Sequence, residues 1–441
     1  MIDNEQKCQI CGRRHYDEKR CIFHLERSDK DAKLFQQKLN EIFNDRSLEI
    51  YDFSQFVFPD GIIFPEKIDK KIIFNNATFQ GHHTFFSITF EREADFSGAT
   101  FQGTVSFRFS KFLNNVDFGK AIFKDHVDFQ TVFFHGEVKF VSTVFHKEVF
   151  FSIADFKKRV LFIRATFKGK SEFFAVNFID RVDFMFSTFE DELIINQGNK
   201  RIFSLKEVNF IDVKFFRPEK VNFIKVDLSN FGFLGTNLRK VEFVDVNWYK
   251  KSKGGRNRVY DEIISGSSEY PFMAQMYKRL RANYEENLNY AEAGDFHIGE
   301  MEMRRKGEKN FFNKCIIWAY KLISNYGESY WRPLLFWILP MLLLFPLLFM
   351  YSGIEQITSR QSPYMIHYQF NLSTISLSNA GDFIKDYLKS FVYSLSVFSL
   401  VREKLYRPIN DWSHFWMVLE SILSPVMIAF FLLALRRRFK R

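Results

Sequence analysis

The chain has 441 residues, a formal net charge of +10 and four cysteines, Cys8, Cys11, Cys21 and Cys315. That length is too great for one small domain, and three cysteines within fourteen residues point to a metal site in a reducing compartment and away from a disulfide framework. Phenylalanine stands out at 58 residues. Its even spacing makes the aromatic excess architectural, which argues against a stacking platform for nucleic acid.

In chain order, Met1–Arg20 is polar and charged, so no secretory signal is expected there. Residues 1–27 contain Cys8-x2-Cys11-x9-Cys21-x2-His24. Two paired knuckles of thiolate and imidazole are the usual ligand set of a structural zinc ion, and a closed set of four leaves no open position for catalysis. His15 is a competing ligand. The plainer reading of the same residues is three reduced surface thiols and a chance histidine. Residues 28–48 read as a short amphipathic helix, placed to cap a coiled sheet. A cap is expected because the open end of such a sheet exposes unpaired backbone.

The next two hundred residues carry a fixed beat. From Phe74 through Phe79, Phe85, Phe90, Phe96 and Phe101 to Phe184 and Phe189, phenylalanine recurs in steps of five and six, alternating without a break. Steps of five and six place successive residues on opposite sides of an α-helix, so the eleven-residue period is not helical. Two positions before each ring stand small or β-branched residues, among them Ala94, Ala99, Val105, Ser110, Val116, Ala121 and Val127. The strand period of two turns both residues to the same face. Each short side of the coil therefore sends one large and one small residue inward. Full burial of a Phe is worth about 1.5–3 kcal/mol, and neighbouring coils about 4.8 Å apart make a rod on the order of 40 Å long.

Segments such as Ala94-Asp95-Phe96-Ser97-Gly98 and Ala99-Thr100-Phe101-Gln102-Gly103 resemble the pentapeptide-repeat family. The resemblance implies a right-handed quadrilateral β-helix over residues 49–249. The departure is one extra residue in every second unit, which makes the coil about 22 residues instead of 20. Near the end the step returns to five, at Leu228, Phe233, Leu238, Phe243 and Trp248; the register is weaker around Pro65–Lys71 and Arg217–Lys220.

Residues 250–325 read as a helical linker, opened by the polar break from Lys250 to Arg258 and followed by helical periodicity from Pro271 to Gly307. Residues 326–441 read as a membrane part. Pro333–Ser352 and Phe415–Leu435 are long and apolar enough to span a bilayer, and prolines 340 and 346 are tolerated in such helices. Lys309, Lys314, Lys321 and Arg332 precede the first span and Arg436-Arg437-Arg438 follows the second. Positive flanks place both termini in the cytoplasm and residues 354–411 outside. Trp331, Trp337, Trp412 and Trp416 are positioned like interfacial anchors. Between the spans, Tyr387–Leu400 is apolar but too short to cross. A span, a short re-entrant helix and a second span resemble the ion-channel-like tail of some bacterial pentapeptide-repeat proteins. No Gly-Tyr-Gly follows the short helix, so the likeness implies a pore topology and no potassium selectivity.

Glu420 lies inside the second span, where a carboxylate costs at least a few kcal/mol. It is a pore-lining candidate with Ser394, Ser396 and Ser399; the bland alternative is a carboxylate near the outer interface that reaches to water. His82, His83, His126, His135 and His146 fall in the coil and are expected to be exposed. No nucleophile, base and acid come together and no phosphate loop is present, so no enzyme is expected. Interspersed charges argue against nucleic acid as a partner, and a slight basic excess in the coil argues against mimicry of DNA. The expectation is a protein of the bacterial inner membrane with a cytoplasmic β-helical rod that senses or binds a protein partner. The rod is coupled to a pore formed by a homo-oligomer, by analogy a tetramer; a non-conducting tethered scaffold is the alternative.

Overall fold

The computed structural model describes residues 21–25, 31–198, 207–253, 255–264, 266–357, 364–367, 380–400 and 405–439. The chain divides into two compact units, Met1–Glu300 and Met301–Arg441. The division falls inside the segment that the sequence presents as a linker.

In the first unit, strands of two to four residues between Ile50 and Val244 lie in four parallel sheets of nine, eight, six and eight strands. Each central strand pairs with the one twenty-two residues on, as in Val116↔Val138, Ile122↔Val144, Val127↔Val149 and Phe112↔Phe134. The period therefore lays like on like. Phe96 stacks on Phe118 at 5.0 Å, Phe118 on Phe140 at 5.1 Å and Phe140 on Phe162 at 4.9 Å. These distances follow the strand spacing itself. Rings of a second column meet them edge-on, as Phe96 meets Phe107 at 86° and Phe118 meets Phe107 at 79°, so Phe96, Phe118, Phe140 and Phe162 each gain both favoured aromatic geometries. Every phenylalanine of the beat from Phe74 to Phe189 is buried, and so is the small residue two before it from Ala94 to Ser187. Hydroxyls in that small slot bond to backbone carbonyls: Ser110 donates to Phe85 at 2.5 Å and Thr143 to Phe118 at 2.7 Å, both in the coil beneath, while Ser187 donates to Phe184 in its own coil at 2.6 Å.

The alternation of five and six has a backbone counterpart. Between Phe96 and Phe189 every five-residue step turns its corner through one residue with positive φ: Gly98, Phe109, Lys120, Thr131, Ser142, Ile153, Arg164, Ala175 and Phe186. The six-residue steps contain none. Outside that window the rule loosens: Gly81 holds positive φ inside the six-residue step from Phe79 to Phe85, and the five-residue step from Leu228 to Phe233 contains no such residue. Among the corner residues from Gly98 to Phe186, all but Gly98 pay for this conformation, roughly 1–2 kcal/mol each.

Both ends of the solenoid are covered. The helix Ala32–Asn44 starts at Asp31, whose carboxylate accepts from the Leu34 N–H, and buries Phe35 and Leu39. Phe35 meets Phe58 edge-on at 5.5 Å, and Phe43 does the same to Phe53 at 5.4 Å. At the other end Asp261 replaces the next coil. Where Phe210 and Asp212 donate to the carbonyls of Gly232 and Leu234 one coil on, Phe233 and Leu234 donate to the two carboxylate oxygens of Asp261 at 2.8 and 3.0 Å. The Asn283 side chain caps the Val241 carbonyl at 2.7 Å, and Tyr284 stacks on Phe243 at 12°. The end of the polar stretch before Asp261 is packed too, although Lys251–Lys253 are exposed: Arg256 and Arg258 both pair with the Glu262 side chain, and Arg258 bridges back to Tyr249.

In the second unit the helix Phe311–Ser324 precedes a longer apolar run. That run is α-helical at Trp331–Pro333, widens to a π-turn at Leu334–Ile338 and resumes as Leu339–Ser352. The π-turn sits where Pro340 has no N–H for a regular helical bond. Helices Ala380–Phe398 and Asp411–Phe439 pack against it, around a core that includes Phe345, Phe349, Tyr393, Val397 and Met427. A small antiparallel sheet joins Ile354–Gln356 to Met365–Ile366 and Tyr406–Pro408.

Candidate functional site

The sequence points to three places. The first is the N-terminal knuckle. Cys21 and His24 are buried, with Sγ and Nδ1 3.1 Å apart. They sit on a turn in which the His24 N–H donates to the Cys21 carbonyl, and the Phe23 carbonyl accepts from Val57 of the first coil. Phe23 stacks on Phe56 at 4.6 Å. Two ligands of one tetrahedral zinc at ordinary bond lengths stand about 3.5 Å apart, so this pair suits one half of such a site. Cys8 and Cys11 lie outside the described residues, and among the described residues no three His, Cys, Asp or Glu side chains converge.

The second place is the surface of the coil. His82, His83, Thr104, His126, Asp128 and Phe150 line an open groove of about 440 Å³. His126 Nδ1 lies 2.5 Å from Glu148, and His82 Nδ1 lies 2.6 Å from the Thr104 hydroxyl. His83, expected to be exposed, is a correction: it is 5% exposed. It stands two residues before Phe85, in the inward column continued by Val105 and Val127. Its Nε2 lies 2.8 Å from the Gln80 carbonyl, and burial pushes its pKa down to about 4. Around one corner of the same unit, Phe86, Phe109, Ile153 and Phe174 are all exposed. Phe109 and Ile153 hold positive φ, an outlying conformation for bulky side chains. No sequence rule marks this ridge, because the corner accepts many residue types.

The third place lies among the apolar helices. Glu420 is fully buried and accepts a 2.5 Å hydrogen bond from the Ser394 hydroxyl. Ser390, one turn before Ser394, and Ser424, one turn after Glu420, are also fully buried, and so is Tyr393. The structure thus joins Ser394 to Glu420 and leaves Ser396 and Ser399 outside, where their hydroxyls bond to the carbonyls of Tyr393 and Leu395 in their own helix. Ser424 is not singled out by the sequence, although its four-residue offset from Glu420 is the available signal.

Two helices, Trp331–Ser352 and Asp411–Arg436, are long and apolar enough to cross a membrane, and only 28% and 22% of their apolar windows are buried. A core helix of a water-soluble protein would be mostly covered.

Comparison with known proteins agrees with the coil. Residues 85–132 match pentapeptide repeats, in 9 copies. The chain carries a pentapeptide-repeat β-solenoid, followed by helices of which two have the length and composition of membrane spans. It is 30% identical over 142 residues to an uncharacterized protein of Methanocaldococcus jannaschii, MJ1147, which covers 27% of this chain and 30% of that protein. The chain thus spans less than a third of that relative's length. No solved structure matches it significantly.

Proposed function

We propose that this protein is anchored in a bacterial inner membrane with both termini in the cytoplasm. In this reading the solenoid binds a protein partner, and the helical unit assembles as a homo-oligomer into an ion-channel-like path. Glu420 carries the proposal. A tether gains nothing from a carboxylate between apolar helices, where it costs at least a few kcal/mol, yet here the helices also supply Ser394 as a donor to it. Two spans in one chain enclose no water path, so conduction requires several copies, by analogy four. A structural zinc ion held by Cys8, Cys11, Cys21 and His24 would tie the N-terminal segment to the first coil. Neither unit is assigned a catalytic step. The test is ion flux through the full-length protein in liposomes, with oligomeric state read by native mass spectrometry. We expect an oligomer that conducts and a Glu420→Gln variant that conducts several-fold less. A monomer that passes no current under any condition ends this reading.

The enclosure of Glu420 within one chain, instead of on a face open to another copy, favours a second reading: a non-conducting scaffold whose spans only tether. The exposed ridge of Phe86, Phe109, Ile153 and Phe174 would then be its working surface. Under this reading Phe109→Asp with Ile153→Asp abolishes partner capture, while flux is absent before and after the change.

A further inference from the structure

The helix Phe311–Ser324 leaves its apolar side uncovered. Phe311 is 80% exposed, Phe312 70%, Ile316 54%, Trp318 53% and Leu322 46%, and Cys315 is exposed among them. At 100° per residue these side chains share one broad face. The other side is the packed one. Tyr320 meets Tyr326 at 5.8 Å and Phe430 at 5.7 Å, Ser324 is buried, and Lys321 pairs with Glu302 at 2.7 Å. The helix itself is well made: the Asn310 side chain accepts from the N–H groups of Phe312 and Asn313, and Asn325 ends it in the left-handed conformation. Asn325, Tyr326 and Gly327 all hold positive φ, so the chain turns sharply before the first apolar span begins at Trp331.

We propose that this helix lies on the membrane surface, its apolar face at the headgroup–acyl boundary and the exposed Lys314, with Lys309 just before the helix, toward anionic headgroups. The inference rests on the reading that Trp331–Ser352 and Asp411–Arg436 cross a bilayer. Charge selects lipid over other occupants. From Lys309 to Arg332 the basic residues are Lys309, Lys314, Lys321 and Arg332 and Glu328 is the only acid; with Lys321 paired to Glu302, Lys309, Lys314 and Arg332 carry the positive balance. A second copy would set lysine against lysine, whereas anionic lipids attract such a segment. A broad apolar face carrying Trp and Phe beside a basic one is the composition of helices that lie in the interface, and lysine stems reach from the apolar layer to the headgroups.

The test places a photoreactive benzoylphenylalanine at position 312, 318, 320 or 336 of the full-length chain, in nanodiscs of phosphatidylcholine with or without phosphatidylglycerol. Adducts are identified by mass spectrometry. Positions 312 and 318 are expected to capture lipid, as is 336, an exposed site in the first span. Position 320 is expected to crosslink to the helix Asp411–Phe439. Lipid capture at 312 should fall at least threefold without phosphatidylglycerol, while capture at 336 holds. Capture at 336 with crosslinks from 312 and 318 to protein, or with none, overturns the surface helix and leaves the spans standing. Equal capture at 312 in both lipids overturns the part played by charge. No lipid capture at 336 overturns the spans and the surface helix together.

Discussion

At the scale of single residues, His83 shows what the solenoid demands. It fills a slot that Val105, Val127 and Val149 fill in the next coils, and its burial favours the neutral ring, with a pKa near 4 against an ordinary 6.5. In the unfolded chain the ring binds its proton at the higher pH. Stability from this site is therefore whole above pH 6.5 and is lost as the pH falls toward 4. A shift of that size is worth on the order of 3 kcal/mol. His83→Val should remove this loss, so that thermal unfolding of variant and parent diverges as the pH is lowered from 7 to 4. The site was legible, since the rule of a small residue two before each ring reaches position 83. It was obscured because histidine is neither small nor β-branched. The positive-φ corners had no such signal. Lys120, Thr131, Ile153 and Arg164 share no chemistry; closure of the coil imposes their conformation.

Elements stack in this fold because each coil supplies hydrogen-bond partners to the next, and the last coil has none. Asp261 solves that with one carboxylate for two backbone N–H groups. Burial raises its pKa to about 6, against the pull of those two N–H bonds. Because the folded value lies above the ordinary 3.8, the contribution is full below pH 3.8 and declines as the pH rises through 6. Asp261→Ala orphans both N–H groups and should cost about 3 kcal/mol at pH 4. The cost should be smaller above pH 6, as measured by denaturant unfolding at the two pH values. The opposite slopes of His83 and Asp261 overlap, so each is read by substituting it alone. The helix over 28–48 was legible as a cap from its amphipathic pattern. Asp261 was not: its partners, Phe233 and Leu234, are nearly thirty residues away, and nothing in a one-dimensional pattern pairs them.

Across the whole molecule, the knuckle, the coil and the apolar helices answer to different physics. The paired spacing of the cysteines predicts about one equivalent of zinc per chain by elemental analysis, with Cys8 and Cys11 protected from alkylation until a chelator is added. A metal-free protein with both thiols freely alkylated would discard the site. By itself the sequence determined the coil and its contents, because a 22-residue period repeats the same inward pair at every turn and such a pattern survives in one dimension. It also determined the two apolar runs, whose length and composition need no partner to be read. Only the tertiary structure decided which polar groups meet. It paired Ser394 with Glu420, set Asp261 beneath the last coil and left one face of Phe311–Ser324 bare. Those outcomes depend on how separate helices and coils pack in space, which residue order alone does not record.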